Sequence, residues 1–172
     1  MTSRRLFVVA GLLITVLLAG AGQPLWRWWT APPAGYCPIC LRHEHKESMV
    51  KLRAAGEGET EACCLSCALT YGRQTSKSVT IVSVTDHESG RALEPDKATF
   101  VAGSNISPCT HAMMHVDTEG GAAPVRWDRC LPSILAFSSR EYGEAFRARH
   151  GGQIRTLAEL EREQAATRSP AG

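Results

Sequence analysis

The sequence lacks an excess of charge of either sign. Nineteen Lys and Arg stand against 17 Asp and Glu, a formal charge of +2, with no acidic or basic tail. Nucleic-acid binding calls for a basic face or stripe, so that class of partner is set aside. A P-loop, a dinucleotide-binding fingerprint and a Ser-His-Asp nucleophile pattern are also missing. Haem attachment would need CxxCH, and Leu41 follows Cys40. Methionine is scarce, with four in the chain including the initiator. Apolar content is 44%, but part of it lies in the first 25 residues, which leaves the remainder a lean core. Small lean domains fold with help from a metal or disulfides. Cysteine is what the chain has in excess. Seven is an odd number, so at least one thiol is free, intermolecular or metal-bound.

The amino terminus sets the compartment. Arg4 and Arg5 make a short basic start, and an apolar run extends from Leu6 to Ala21. The run is longer than the core of most signal peptides and slightly short for a spanning helix. Trp26, Trp28 and Trp29 then stand where an interfacial aromatic belt would lie. The basic start holds the front of the chain in the cytoplasm, so the residues beyond the apolar run face the periplasmic or extracellular side. Small residues Ala19 and Ala21 permit cleavage as a signal peptide; a single retained anchor in the cytoplasmic membrane, residues 1–29, is the favoured expectation. Thiols outside the cytoplasm can oxidise to disulfides, the main rival to every metal reading. Residues 30–35, TAPPAG, form a stiff Pro-rich linker.

From Tyr36 the pattern predicts an α+β domain. SMVKLRA (48–54) alternates as a strand, GEGE (56–59) turns, and TEACC returns. CLSCALTYG (64–72) has the apolar spacing of a short helix closed by Gly72. SVTIVSVTD (78–86) is β-branched and strand-like, HESG turns, and ATFVAG (98–103) is another short strand. In AFSSREYGEAFRARHGG, Ser138 and Glu141 predict a capping box, with Phe137 and Tyr142 as the staple. Tyr142, Ala145 and Phe146 then make the inward stripe, and Gly151 ends the helix. QIRTL and TLAELEREQ come next as a strand and a final helix. The order suggests two small ββαβ-like halves, a Cys-rich one over 36–103 and a second over 104–162, with a flexible tail at 163–172.

The chemistry begins at Cys37-Pro-Ile-Cys40, which precedes Cys63-Cys64-x2-Cys67 by 22 intervening residues. A turn, a hairpin and a helix start would converge Cys37, Cys40, Cys64 and Cys67 on one point, since Cys64 and Cys67 share a helix face. Four thiolates suit Zn(II) and also Cu(I). Cys63 is a fifth thiol that can replace Cys64 or stand by for transfer. Two disulfides between the same groups are the alternative. A thioredoxin-like CxxC fits less well after a Pro-rich spacer.

YCPIC followed by ACCLSCALTYG resembles treble-clef metal-binding modules. Residues 36–160 as a whole resemble the NosL family, accessory proteins of nitrous oxide reductase, through VTDHESG (84–90), ATFVAGS (98–104) and, most closely, AFSSREYGEAFRARHGGQIRTLAEL (136–160). The resemblance implies a ββαβ pair shared with organomercurial lyase, and Cu(I) delivery in the periplasm. The chain departs from the family where Leu41-Arg42 replaces Gly-Met, and where Pro108-Cys109 replaces Pro-Met. An anchor stands where the family carries a lipidated Cys.

NISPCTHAMMHV (105–116) concentrates soft donors. As a strand it would point Cys109, His111, Met113 and His115 to one face, about 7 Å between neighbours. Two of them could reach one ion, with Cys109 and either His111 or Met113 favoured. Thiolate and thioether select Cu(I) over hard cations. The plain alternative makes Met113 and Met114 core filler and pairs Cys109 with Cys130. His43, His45 and Met49 are a further possible contribution.

Three functions are compatible with these residues. One is an extracytoplasmic Cu(I) chaperone that gives copper to an accepting enzyme or metal transporter by ligand exchange, without catalysis. The second is a membrane-anchored interaction protein stabilised by Zn(II) or disulfides. The third, disfavoured, is a carbon–metal lyase drafted from Cys109, Cys130 and Asp128.

Overall fold

The computed structural model describes residues 33–109, 114–116, 122–124 and 128–166. The expected anchor, and His111 and Met113, lie outside them. Among the described residues no helix is long and apolar enough to cross a membrane.

Strand β1 (Val50–Ala54) pairs with β2 (Glu59–Ala62) through a turn in which Gly56 takes φ +77°, a left-handed backbone that glycine adopts without steric cost. Helix α1 (Leu65–Thr75) leads back to β3 (Val79–Thr85), which pairs with the other edge of β1. β4 (Ala92–Leu93) adds to β3, giving the antiparallel order β2-β1-β3-β4. The pattern then repeats. β5 (Thr99–Ala102) is followed by an inserted hairpin, β6 (Met114–Val116) and β7 (Ala122–Pro124), and then by β8 (Ile134–Phe137), helix α2 (Arg140–His150) and β9 (Gln153–Arg155). The second sheet runs β8-β5-β9, antiparallel throughout. Each unit is therefore ββαβ with its first strand in the middle, in agreement with the α+β expectation. Helix α3 (Leu157–Ala166) closes the chain and reaches into the segment expected to be a loose tail.

The second unit starts earlier than expected. Thr99–Ala102 pairs with β8 and β9, so the strand placed at the end of the first half opens the second. A four-residue strand carries no local signal of its partner.

Other corrections come from packing. Gly72 does not stop α1, which continues to Thr75 and ends at Ser76, φ +55°. A Cβ on Gly72 would lie 3.0 Å from Val79 Cγ2, so this glycine permits close approach of α1 to β3. Ala136 and Phe137 belong to β8, so α2 is capped one residue later, with Ser139 Oγ accepting from Tyr142 N at 3.3 Å. The staple is lost with that shift. Phe137 is fully buried and tilts against Phe146, ring centroids 5.0 Å apart, while Tyr142 is 57% exposed. The inward stripe of α2 is Gly143 and Phe146 rather than Tyr142, Ala145 and Phe146. A Cβ on Gly143 would meet Thr99 Cγ2 at 3.0 Å, which is why the helix can lie so close to β5.

β8 is buried along its whole length, and its two faces feed different clusters. Ile134 and Ala136 join the large core with Phe100, Leu52, Val84 and most of the cysteines. Leu135 and Phe137 join Val101 and Phe146 under α2. Asp86, 3% exposed, ties the two sheets together. Its carboxylate accepts from Ser89 Oγ at 2.6 Å and from Ser138 N at 3.2 Å, while His87 N donates to Ala136 O at 2.8 Å. The VTDHESG segment is thus a structural joint.

Candidate metal centre

The Cys37–Cys40 turn is closed by Leu41 N donating to Cys37 O at 2.9 Å and by Cys37 N donating to Arg42 O at 2.8 Å. Leu41 takes φ +61° to complete it. β2 delivers Cys63 at its end, and Cys64 caps α1 in an extended conformation, its Sγ accepting from Cys67 N at 3.4 Å. Successive extended residues point to opposite sides, so Cys63 and Cys64 face different neighbours.

Two foursomes of thiols result. Cys37, Cys40, Cys63 and Cys67 form one; Cys63, Cys64, Cys109 and Cys130 form the other, and within each all the sulfurs lie within 4.8 Å of one another. Cys63 belongs to both. Of the expected set Cys37, Cys40, Cys64 and Cys67, the first foursome holds Cys37, Cys40 and Cys67 together with Cys63, the thiol the sequence offered in place of Cys64, while the cap conformation turns Cys64 toward Cys109 and Cys130. Cys109 sits in a turn ahead of the described strand Met114–Val116 and faces the thiols. His43, Met49 and His45 fall in neither foursome; His43 is exposed and packs on Tyr36, ring centroids 5.2 Å apart.

Cys130 is the residue that sequence reasoning left out of the metal ligands, having read it as a disulfide partner of Cys109 or, with Asp128, as a thiol of the disfavoured lyase. Its Sγ lies 3.6 Å from Cys63 Sγ, and all seven cysteines are free. The one available signal was arithmetic: an odd set of seven is what two tetrahedra sharing a corner require.

Other sulfur separations are 3.4 Å for Cys40–Cys63, 3.8 Å for Cys37–Cys67 and 3.9 Å for Cys63–Cys64. A metal–sulfur bond of about 2.3 Å puts the corners of a tetrahedron about 3.8 Å apart. A disulfide would need about 2.05 Å. The spacing is short enough for each foursome to hold an ion.

The thiols also divide electrostatically. Cys40 opposes ionisation of Cys37, but Cys63 and Cys67 beside it hold its thiol down to about 6. Cys130 opposes ionisation of Cys40, yet Cys37, Cys63 and Cys67 together bring it to about 3. Cys109 is held far below the ordinary thiol range by Cys130, Cys63 and Cys64. Cys130 is held low as well: Cys109 resists, and Cys40, Cys63 and Cys64 outweigh it. The three thiols of the α1 start go the other way. Cys63 is pushed up by Cys109, Cys130 and Cys37, Cys64 by Cys109 and Cys130, and Cys67 by Cys130, Cys37 and Cys40. Each foursome thus contains two thiols whose ionisation their neighbours favour and two whose ionisation they oppose, and a bound cation would displace the protons that remain.

One salt bridge and two hydrogen bonds involving backbone atoms hold the loop that brings Cys130. Arg42 Nη1 donates to Asp128 Oδ1 at 2.7 Å, its Nη2 donates to Oδ2, and Asp128 Oδ1 also accepts from Cys130 N at 2.8 Å. Arg129 Nη1 donates to Ile39 O at 2.7 Å. Arg42 is held even more firmly protonated than usual, chiefly by Asp128. Ser48 Oγ donates to Cys63 O at 2.8 Å, and Cys109 Sγ lies 3.4 Å from the same carbonyl. Six of the seven cysteines are buried; Cys40 alone is half-exposed, at the rim.

Among solved structures, the chain is similar to a copper chaperone. The crystal structure of NosL from Shewanella denitrificans matches with a TM-score of 0.48 and 16% sequence identity, over 75% of this chain and 91% of that one. No family model and no curated protein matches the chain.

Proposed function

We propose that the chain is an extracytoplasmic metallochaperone, tethered to the cytoplasmic membrane by its amino-terminal apolar run, that carries Cu(I) on cysteine thiolates to a copper-accepting enzyme or metal transporter. Nitrous oxide reductase is the client suggested by the sequence resemblance to the NosL family. The observation that carries the reading is the gathering of all seven thiols into one mostly buried cluster, with Cys40 at its rim. Thiolates select soft ions, and a half-exposed thiolate is the place for an incoming ligand to begin exchange. His111 and Met113, beside Cys109, are proposed as further soft donors during transfer. The reading is non-enzymatic. Both carboxylate oxygens of Asp128 are taken by Arg42, and Oδ1 also by Cys130 N, which makes it a poor proton donor for carbon–metal bond cleavage.

Titration with Cu(I) against a competing chelator tests this. The wild-type protein is expected to hold Cu(I) at least tenfold more tightly than a Cys37→Ser/Cys40→Ser variant, and to release it to a stronger thiol acceptor. Equal affinity would overturn the reading. A second reading, a Zn(II)-stabilised interaction protein, is favoured by the four-cornered closure of each foursome, since structural zinc sites leave no open position. Metal analysis of protein produced in the periplasm, followed by exchange with added Cu(I), separates the two.

A further inference from the structure

Resting on the metal-handling reading, we infer that the cluster is a binuclear site: two thiophilic d10 ions held side by side, with Cys63 Sγ as the single bridging ligand. The two foursomes use every cysteine in the chain once, except Cys63, which both require. Cys37, Cys40 and Cys67 complete one tetrahedron, and Cys64, Cys109 and Cys130 the other. Cys63 is placed for that role. It is fully buried, its sulfur lies 3.4 Å from Cys40, 3.6 Å from Cys130 and 3.9 Å from Cys64, and its own N–H donates to Cys37 Sγ at 3.4 Å. Two bonds of about 2.3 Å meeting at a tetrahedral sulfur put the ions about 3.8 Å apart.

The two positions differ in origin. The ligands of the first all come from the turn before β1 and the β2–α1 junction. The second joins Cys64 of that junction to Cys109 and Cys130, which flank the hairpin inserted between β5 and β8. The second ion therefore fastens one ββαβ unit to the other. Seven thiolates around two ions keep a net negative charge, and Arg42 offsets part of it, being drawn electrostatically to both Cys130 and Cys40.

Cd(II) serves as the probe. Native mass spectrometry of the wild-type full-length protein saturated with Cd(II) should show two ions per chain. Its 113Cd spectrum should contain two resonances in the all-sulfur region, split by mutual coupling through one sulfur, with the Cβ protons of Cys63 coupled to both. Cys67→Ser should weaken one ion and Cys109→Ser the other, each by at least tenfold, while Cys63→Ser weakens both. One ion per chain, three or more, or two resonances without mutual coupling would overturn the inference, and those measurements need no variant. The outcomes are separable from the functional reading. A bridged pair that never passes Cu(I) to an acceptor preserves the binuclear site and removes the chaperone; transfer from a protein that holds a single ion does the reverse.

Discussion

Asp128→Ala tests whether the loop carrying Cys130 is held in place for the second ion. The substitution removes both contacts to the Arg42 guanidinium and the acceptor for Cys130 N. Arg42 is 43% exposed and Asp128 10%, so the ion pair is given a largely screened value of about 1 kcal/mol. A buried backbone N–H left without an acceptor costs about 1–3 kcal/mol. Together these amount to about 2–4 kcal/mol, which corresponds to about 30- to 1000-fold in affinity if the loop is ordered by metal binding. The loss should fall on the ion bound by Cys64, Cys109 and Cys130, and the site containing Cys37, Cys40 and Cys67 should be spared. Stepwise competition with a chromophoric chelator reads the two affinities separately. Asp128→Asn, which can keep the acceptor for Cys130 N, should lie between wild type and Asp128→Ala. A weaker affinity that moves by less than threefold, or two affinities that move together, would show that Asp128 does not position the loop.

The same geometry carries three more expectations. In the metal-free protein, iodoacetamide at pH 6 should label Cys40 first, because it is the half-exposed thiol and is held down at about 3 against an ordinary 9. As a group with a lowered pKa it stays thiolate as pH falls through the ordinary thiol range, so its labelling rate should be nearly flat from pH 8 to 5; a rate falling tenfold per pH unit there would contradict it. Leu41→Gly should stabilise the domain by about 1 kcal/mol in urea denaturation, since Leu41 takes φ +61° and is 65% exposed, with little burial to lose; destabilisation would show that the Leu41 side chain matters more than its backbone. Asp86→Ala should destabilise by about 2–3 kcal/mol while leaving the number of bound ions unchanged, because its partners join the two sheets and none is a cysteine; loss of metal with stability intact would refute the structural assignment.

Features that rest on local chemistry were legible in the sequence. The β1–β2 hairpin, α1 and β3 come from alternation, a glycine turn and helical spacing. So does the meeting of Cys37 and Cys40 with the thiols at the α1 start, since a turn, a hairpin and a helix fix those distances within 31 residues of chain. Non-local pairing was not legible. β5 was assigned to the wrong unit because its partners lie more than 30 residues away at β8 and beyond. Ile134–Phe137 was absorbed partly into the following helix, since a strand buried on both faces shows no alternation. The place of Cys130 among the clustered thiols was not legible either, because it arrives through a loop whose course depends on Arg42 and Asp128. Gly72 looked like a helix stop; it and Gly143 are each placed where a helix lies close against a strand.

The beginnings of α1 and α2 are counterparts in a duplicated plan. At one, Cys64 Sγ receives the N–H of the residue three further on; at the other, Ser139 Oγ does the same. A thiol of the candidate metal centre thus stands where this architecture already demands a lone pair, with sulfur in place of oxygen at one of the two helix starts. Any oxidant that attacks Cys64 would then loosen a helix as well as spoil a ligand, so redox damage and unwinding at that spot become a single event.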